Sequence, residues 1–348
     1  LNAVAERLYD MARGAALEPR VREGLFAGVP TLIKDLFTPV QGAAMTNGSL
    51  ALGGARADFE SEMVIRLRRA GCLIVGTSTA PEFGTSYSTE STRFGATRNP
   101  WNTGRSAGGS SGGAAALVAA RVVPFAHGND GGGSLRVPAS CCGVFGLKPS
   151  RGLLPSGPMV GEGWAGMGTN HCITLSVRDS AALLDATAGI DLGAPYAAPL
   201  PAQSYVMAVQ QAPRPLRIAL VEQLGPWSTS TQSLEAVRHA ASLCESLGHW
   251  VEPARLPVVL PEFLDQVFTI IGASTRHYVD VLGQLRGAPV RPEELEARTR
   301  IILRDKGAQP GAIVTGKVGD TIAALTEKAL VAAKSFPGMA GLDLAQVV

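Results

Sequence analysis

The 348-residue chain lacks any apolar stretch long enough to cross a membrane as a helix. Its longest, AAALVAARVVPFA from Ala114, is interrupted by Arg121 and Pro124 and falls short of the roughly 20 residues a span requires. A soluble protein is therefore expected. Runs of one charge are missing too. Thirty-one basic and 29 acidic residues give a formal +2, and no Lys/Arg cluster suggests a nucleic-acid groove or an anionic membrane surface. A small-molecule partner is the expectation, with no nucleic acid and no membrane. Cysteine is sparse: Cys72, Cys141, Cys142, Cys172 and Cys244 are odd in number, show no CxxC spacing and mostly sit in apolar surroundings. They read as reduced core residues in a cytoplasmic setting. No basic leader with an apolar core opens the chain, which starts at Leu1 without methionine, inside a segment that reads as helical, LNAVAERLYDMARGA. A fragment is expected on that ground.

What is present is enough apolar material, 46% of residues, to fill one large domain or two ordinary ones. GVPTLIKDLF from Gly28 reads as a buried strand running into a loop. ADFESEMVIRLRRAG from Ala57 carries apolar residues at helical spacing, and CLIVGTS after it reads as a strand. The stretch PEFGTSYSTESTRFGATRNPWNTGRS is too polar and too punctuated for regular core structure and reads as an ordered surface loop. Gly112 to Arg121 reads as a helix with small residues on its packing faces, and VVPFAHG as a strand feeding a glycine turn. A helix is expected from Val177, and a Pro/Ala-rich linker near 193 to 216 precedes the strand LRIALVEQ. In the helix SLEAVRHAASLCESLG, Leu234, Val237, Ala241 and Cys244 share one face. The tail from Pro292 reads as helical and ends in GLDLAQVV, which resembles a strand cut short. Alternating strands and helices without a repeat predict an α/β layered fold around a mixed or parallel sheet.

The chemistry centres on GNDGGGSLR, residues 128 to 136. Consecutive glycines let a backbone turn its N–H groups on an anion without obstruction, and that anion is either a bound phosphate or the oxyanion formed when a nucleophile attacks a carbonyl. A phosphate loop would want a neighbouring lysine, but only Arg136 is near. The closest approach to GxxxxGK[ST], GAIVTGKV from Gly311, ends in Val318 where a metal-binding hydroxyl belongs. A serine hydrolase is the next test. GxSxG occurs at Ser106 and at Ser110, yet neither follows a strand as a nucleophile elbow must. The five histidines are scattered, and only His127 is near the glycines, where a structural role is the plainer reading. Lys34 remains, a lone cation after the apolar run VPTLI. Burial there would lower its pKa until a neutral amine could act as a base, although a snorkelling lysine is the bland alternative.

Three segments taken together resemble the amidase signature family: GVPTLIKD at 28 to 35, RNPWNTGRSAGGSSGGAAALVAA at 98 to 120 and HGNDGGGSLRVPASCCGVFGLKPSRG at 127 to 152. The resemblance is specific from about residue 24 to 190 and weaker beyond. It implies a single amidase signature domain over 1–348, with a central mixed β-sheet covered by helices on both faces. The core catalytic region would be 24–190 and the region 210–348 a peripheral strand–helix part, with the fold truncated at both ends. It further implies that Ser134 is the nucleophile, Ser110 the bridging serine after a cis peptide bond from Gly109, and Lys34 the base. The N–H groups of Gly131, Gly132, Gly133 and Ser134 would form the oxyanion hole. Ser111, Asp130 and Arg136 would hold the loops, Asp130 by capping or pairing with nearby donors and Arg136 by binding carbonyls.

Asn129, Gly131 and Ser150 depart from the commonest family spelling, where threonine, a bulkier residue and threonine are usual. No metal or organic cofactor is implied, and a homodimer is compatible with the sequence. The expected activity is hydrolysis of small linear or cyclic amides, the spelling being nearest to the bacterial amidases that open aminohexanoate oligoamides. Two alternatives share the pattern: the glutaminase subunit of a tRNA-dependent amidotransferase, and a non-catalytic binding protein on a truncated amidase fold.

Overall fold

The structure is a computed structural model that describes residues 1–306. The stretches GAIVTGKV and GLDLAQVV lie outside the described residues. In chain order the elements that matter are β1 (Val4–Arg7), α1 (Tyr9–Ala16), β2 (Pro30–Lys34), α2 (Glu62–Arg69), β3 (Leu73–Ser78), α3 (Gly112–Ala119), β4 (Phe125–Asp130), α4 (Arg136–Cys142), β5 (Phe145–Gly146), β6 (Thr169–Thr174) and α5 (Val177–Thr187). They are followed by β7 (Arg217–Leu220), α6 (Thr231–Ser246), β8 (Trp250–Pro253), α7 (Leu260–Leu285) and α8 (Ala297–Lys306). Two compact units result. One comprises residues 1–210 with 274–305; the other comprises 211–273 together with Lys306.

In the first unit β3 pairs antiparallel with β1 and parallel with β2, while β6 pairs antiparallel with both β4 and β5. The two ladders meet where β2 runs beside β4: Thr31 Oγ1 donates to the Phe125 carbonyl at 3.0 Å, and the Lys34 N–H donates to His127 Nδ1 at 3.3 Å. Alternation along each strand sends successive side chains to opposite faces. Leu32, Val75, Ala126 and Ile173 pack with Ala114 to Val118 of α3 on one face. Ile33, Ile74, Phe125 and Cys172 pack with Met63, Val64 and Leu67 of α2 and Leu183 of α5 on the other. The two three-stranded sheets are thus clad by helices on both faces, as the family resemblance implies. Helix α2 begins at its N-cap Ser61, which accepts from the Val64 N–H, and each apolar side chain it buries contributes about 1.5–3 kcal/mol.

The small residues of α3 explain how a helix is buried on nearly all sides. Ala, Gly and Val let it lie close against the sheet, so its N-terminus is fixed relative to the strand ends. In the second unit β7 and β8 form a parallel pair, and of the face expected on α6 between them Leu234, Ala241 and Cys244 are half-buried while Val237 is exposed.

Four expectations need correction. The opening segment is not one helix: Val4–Arg7 is a strand, because pairing with β3 and packing of Val4 on the alanine-rich cluster outweigh helix propensity. The polar stretch after Pro81 is no mere surface loop. It contains two short antiparallel ribbons, Glu90–Ser91 with Gly95–Ala96 and Arg98–Asn99 with Asn102–Ser106, and it buries Phe83, Thr89, Thr97 and Asn99. Cys141 is exposed and Cys244 half-buried, so only Cys72, Cys142 and Cys172 are core residues. Finally, the 26-residue helix α7 was not foreseen from LPEFLDQVFTIIGASTRHYVDVLGQL, whose β-branched and aromatic residues blur a helical period.

Candidate active site

Strand β2 carries Lys34 at its C-terminal end, completely buried, with its amine facing Ser110 Oγ at 2.7 Å and Asn129 Oδ1 at 2.6 Å. Neither partner is charged. Burial therefore drives the Lys34 amine well below the usual lysine range, and the nearby Asp130 carboxylate only partly opposes this. A snorkelling lysine is ruled out, since no part of the side chain reaches solvent. An amine whose proton is held this weakly can, in its neutral form, accept the proton of the hydroxyl it touches.

Ser110 sits on the turn entering α3, after a cis peptide bond from Gly109. A side chain at Gly109 is not tolerated, because its Cβ would stand 2.7 Å from the Ser88 backbone. Thr89 ties this turn down: its Oγ1 donates to the Gly108 carbonyl at 2.8 Å and accepts the Gly112 N–H at 2.9 Å. Next door, Ser111 reaches the end of β4 and the glycine loop that follows it. Its N–H donates to the Ser134 carbonyl at 3.2 Å and its Oγ to the Asn129 carbonyl at 3.2 Å. Ser106, the other GxSxG serine, lies exposed on a ribbon strand and takes no part.

The glycine run links β4 to α4. Asp130 closes β4 with a fully buried carboxylate that accepts the Gly133 N–H at 2.7 Å, the Leu135 N–H at 3.1 Å and two Arg136 nitrogens at 2.9 and 3.0 Å. Burial alone would raise this carboxyl, but the hydrogen bonds from Arg136, Leu135 and Gly133 outweigh it and hold it below the usual carboxylate range. Two corrections follow. Arg136 binds a carboxylate, not carbonyls. The Gly133 N–H is engaged by Asp130 and so is not a free oxyanion donor, which leaves Gly131, Gly132 and Ser134 as the remaining N–H groups. The Gly132 carbonyl is steadied by Tyr87, whose hydroxyl donates to it at 3.0 Å. Gly131 is bare for a reason the sequence does not disclose: a Cβ there would stand 2.6 Å from the Trp164 ring.

Ser110 and Ser134 both line a cleft whose wall also includes Leu36, Phe37, Gly131, Trp164 and Tyr278. Phe37 and Tyr278 lie with ring centroids 4.5 Å apart. The expected trio is therefore gathered at one place from three separated segments. Phe37, Trp164 and Tyr278 were missed, since each comes from a loop or helix without a motif of its own. Asn129 departs from the commonest family spelling, and nothing in the sequence signals its contact with the Lys34 amine. His127 is not a base: burial lowers its pKa to about 3, and its Nδ1 is occupied by the Lys34 backbone N–H.

A buried lysine touching a serine on a cis-linked turn, beside a glycine loop with a second serine, defines the amidase signature arrangement. The family model described as Amidase matches residues 1–305, and the chain belongs to the amidase signature family. Among curated relatives, the 6-aminohexanoate-cyclic-dimer hydrolase of Pseudomonas sp. is 40% identical over 304 residues, covering 85% of this chain and 61% of that protein. A solved structure of 6-aminohexanoate cyclic dimer hydrolase complexed with substrate superimposes with a TM-score of 0.85 at 35% identity, covering 95% of this chain and 68% of that one. A bacterial aryl acylamidase of the same family gives 0.82 at 30% identity, covering 95% and 69%. The chain spans about 61% of the length of the curated relatives it matches first.

Proposed function

We propose that this protein hydrolyses the carbon–nitrogen bond of small linear or cyclic amides through an acyl-enzyme on Ser134, with Ser110 and Lys34 as the proton relay. The observation that carries this reading is the 2.7 Å contact between the buried Lys34 amine and Ser110 Oγ, in a cleft that Ser134 also lines. As Ser134 Oγ attacks the amide carbonyl carbon, its proton passes to Ser110 while the Ser110 proton passes to Lys34. The C=O electron pair moves onto oxygen, which takes N–H donors from Gly131, Gly132 and Ser134. Collapse of the intermediate breaks the C–N bond, and Lys34 returns its proton through Ser110 to the departing amine. Water then attacks the ester by the same relay, releasing the acid and restoring Ser134.

Three aromatic side chains and Leu36 make the wall of the cleft mostly apolar, which suits the methylene stretches of aminohexanoate-type oligoamides. We read both compact units as parts of one amidase signature domain, because a single family model runs across residues 1–305. Among the described residues no helix is long and apolar enough to cross a membrane, and a cytoplasmic setting is our reading from the reduced cysteines. The deciding experiment is incubation with a panel of aliphatic, aromatic and cyclic amides, followed by intact-protein mass spectrometry. An acyl adduct located on Ser134 is expected. An adduct that persists in Ser134→Ala refutes the assignment of the nucleophile.

A further inference from the structure

Asn129 is the one neutral amide in contact with the Lys34 amine among the described residues, and its own position is locked on two sides. Its Nδ2 donates to the Leu36 carbonyl at 2.9 Å, and its backbone carbonyl accepts from Ser111 Oγ at 3.2 Å. The side chain cannot be flipped, because that would set its oxygen against the Leu36 carbonyl oxygen. Oδ1, a pure acceptor, therefore faces Nζ at 2.6 Å.

We propose that Asn129 is a positioning residue which holds one N–H of the neutral Lys34 amine and so leaves the nitrogen lone pair to face Ser110. This rests on the reading of Lys34 as the base. A neutral amine has two N–H bonds and one lone pair, and rotation about the Cε–Nζ bond distributes them over three directions. Oδ1 cannot donate, so the lone pair is excluded from the side of the amine that faces Asn129. The same oxygen also favours the ammonium form that arises after proton transfer, because a hydrogen bond to the charged form stabilises it.

The ionisable groups that face this amine are few. From β4 come Asp130, whose carboxylate raises the Lys34 pKa, and His127, held neutral by burial. Asp35, next in the chain, is turned to the Thr46 backbone and hydroxyl. Strand β3 and helix α3, also packed on β2, contain no ionisable side chain, and helix α2 packs against Ile33 on the opposite face of β2, so its Glu62, Arg66, Arg68 and Arg69 do not face the amine.

The test is the pH dependence of kcat/KM for the wild type, Asn129→Leu, Asn129→Asp and Asn129→Thr, with melting temperature measured in parallel. Activity of a lysine base rises as pH increases through its pKa. Asn129→Leu should lose about 100-fold in kcat, the scale of a misplaced catalytic group, and move the acid limb to lower pH. Asn129→Asp should move that limb to higher pH by about 1–3 units, the effect of an adjacent opposite charge. Asn129→Thr, which keeps an oxygen acceptor, should recover most of the rate lost in the leucine variant. Melting curves like the wild type's, with all limbs unmoved, overturn the proposal. If Asn129→Asp does not fold, the Leu and Thr variants decide: equal kcat and equal limbs in both overturn it. Lys34→Ala separates the two readings. If it abolishes the acid limb while the Asn129 variants leave it in place, only the role of Asn129 fails; if the limb survives Lys34→Ala, the base assignment itself fails.

Discussion

Lys34 and Asp130 are both buried ionisable groups at the ends of neighbouring strands, yet the fold treats them in opposite ways. Asp130 is fully satisfied: two backbone N–H groups and the fork of Arg136 surround its oxygens, and the carboxyl stays ionised. Lys34 is given two neutral contacts and no direct counter-ion, so desolvation dominates and its proton is weakly held. A buried charge that is matched becomes a fastening for the loop around it. One left unmatched becomes a reservoir for a proton. The two serines lie between these extremes, Ser110 touching the reservoir and Ser134 carried by the fastened loop.

The comparison breaks most completely when Lys34 or the proposed nucleophile Ser134 is removed. Lys34→Ala or Ser134→Ala should reduce kcat by about 10⁴- to 10⁶-fold, as for other members of a catalytic unit, and the double variant should be little worse than either single one. Steady-state kinetics on one amide substrate checks this. Loosening the fastening comes next. Asp130→Asn replaces a charged acceptor with an amide whose NH₂ must oppose either the Gly133 or the Leu135 donor, together with one Arg136 nitrogen, at about 1.5–3 kcal/mol per lost charged hydrogen bond. A lower melting temperature is expected. The remaining activity should extend to lower pH, since Asp130 no longer raises the Lys34 pKa.

A third expectation concerns acid. His127 and His171 are buried neutral, with pKa values lowered by burial to about 3 and about 4. Below about pH 6.5 the unfolded chain binds protons that the folded one refuses, so each histidine removes about 1.4 kcal/mol of stability per pH unit until its folded value is reached. Stability should be retained above that range and fall with pH within it, as denaturant midpoints would record. The smallest effect is at the cleft wall. Gly131→Ala should push Trp164 aside, given the 2.6 Å approach, and change KM between small and bulky amides more than it changes the melting temperature.

Much of the fold was legible in advance because it is written locally. The apolar runs GVPTLIK and CLIVGTS, the helical spacing of apolar residues in ADFESEMVIRLRRAG, and the small residues of α3 each announce an element with little help from elsewhere. Val4–Arg7 was misread because an edge strand takes its hydrogen bonds from β3, not from itself. Helix α7 was missed because burial of one side of Tyr278, Val279 and Leu282 makes a helix of residues with middling propensity.

By itself the sequence determined the chemical inventory: a lysine ending a buried strand, two serines among glycines, and an acid before the glycine run. Local composition suffices for that, since these residue types and spacings are contiguous in the chain. Tertiary structure decided which groups meet. Asp130 claims the Gly133 N–H and the Arg136 fork, Asn129 reaches an amine 95 positions away, and Trp164 occupies the space over Gly131. Those partners are selected by how strands and loops pack side by side, and hydrogen-bond geometry at 2.6 to 3.0 Å depends on that packing, for which no short stretch of sequence carries a sign.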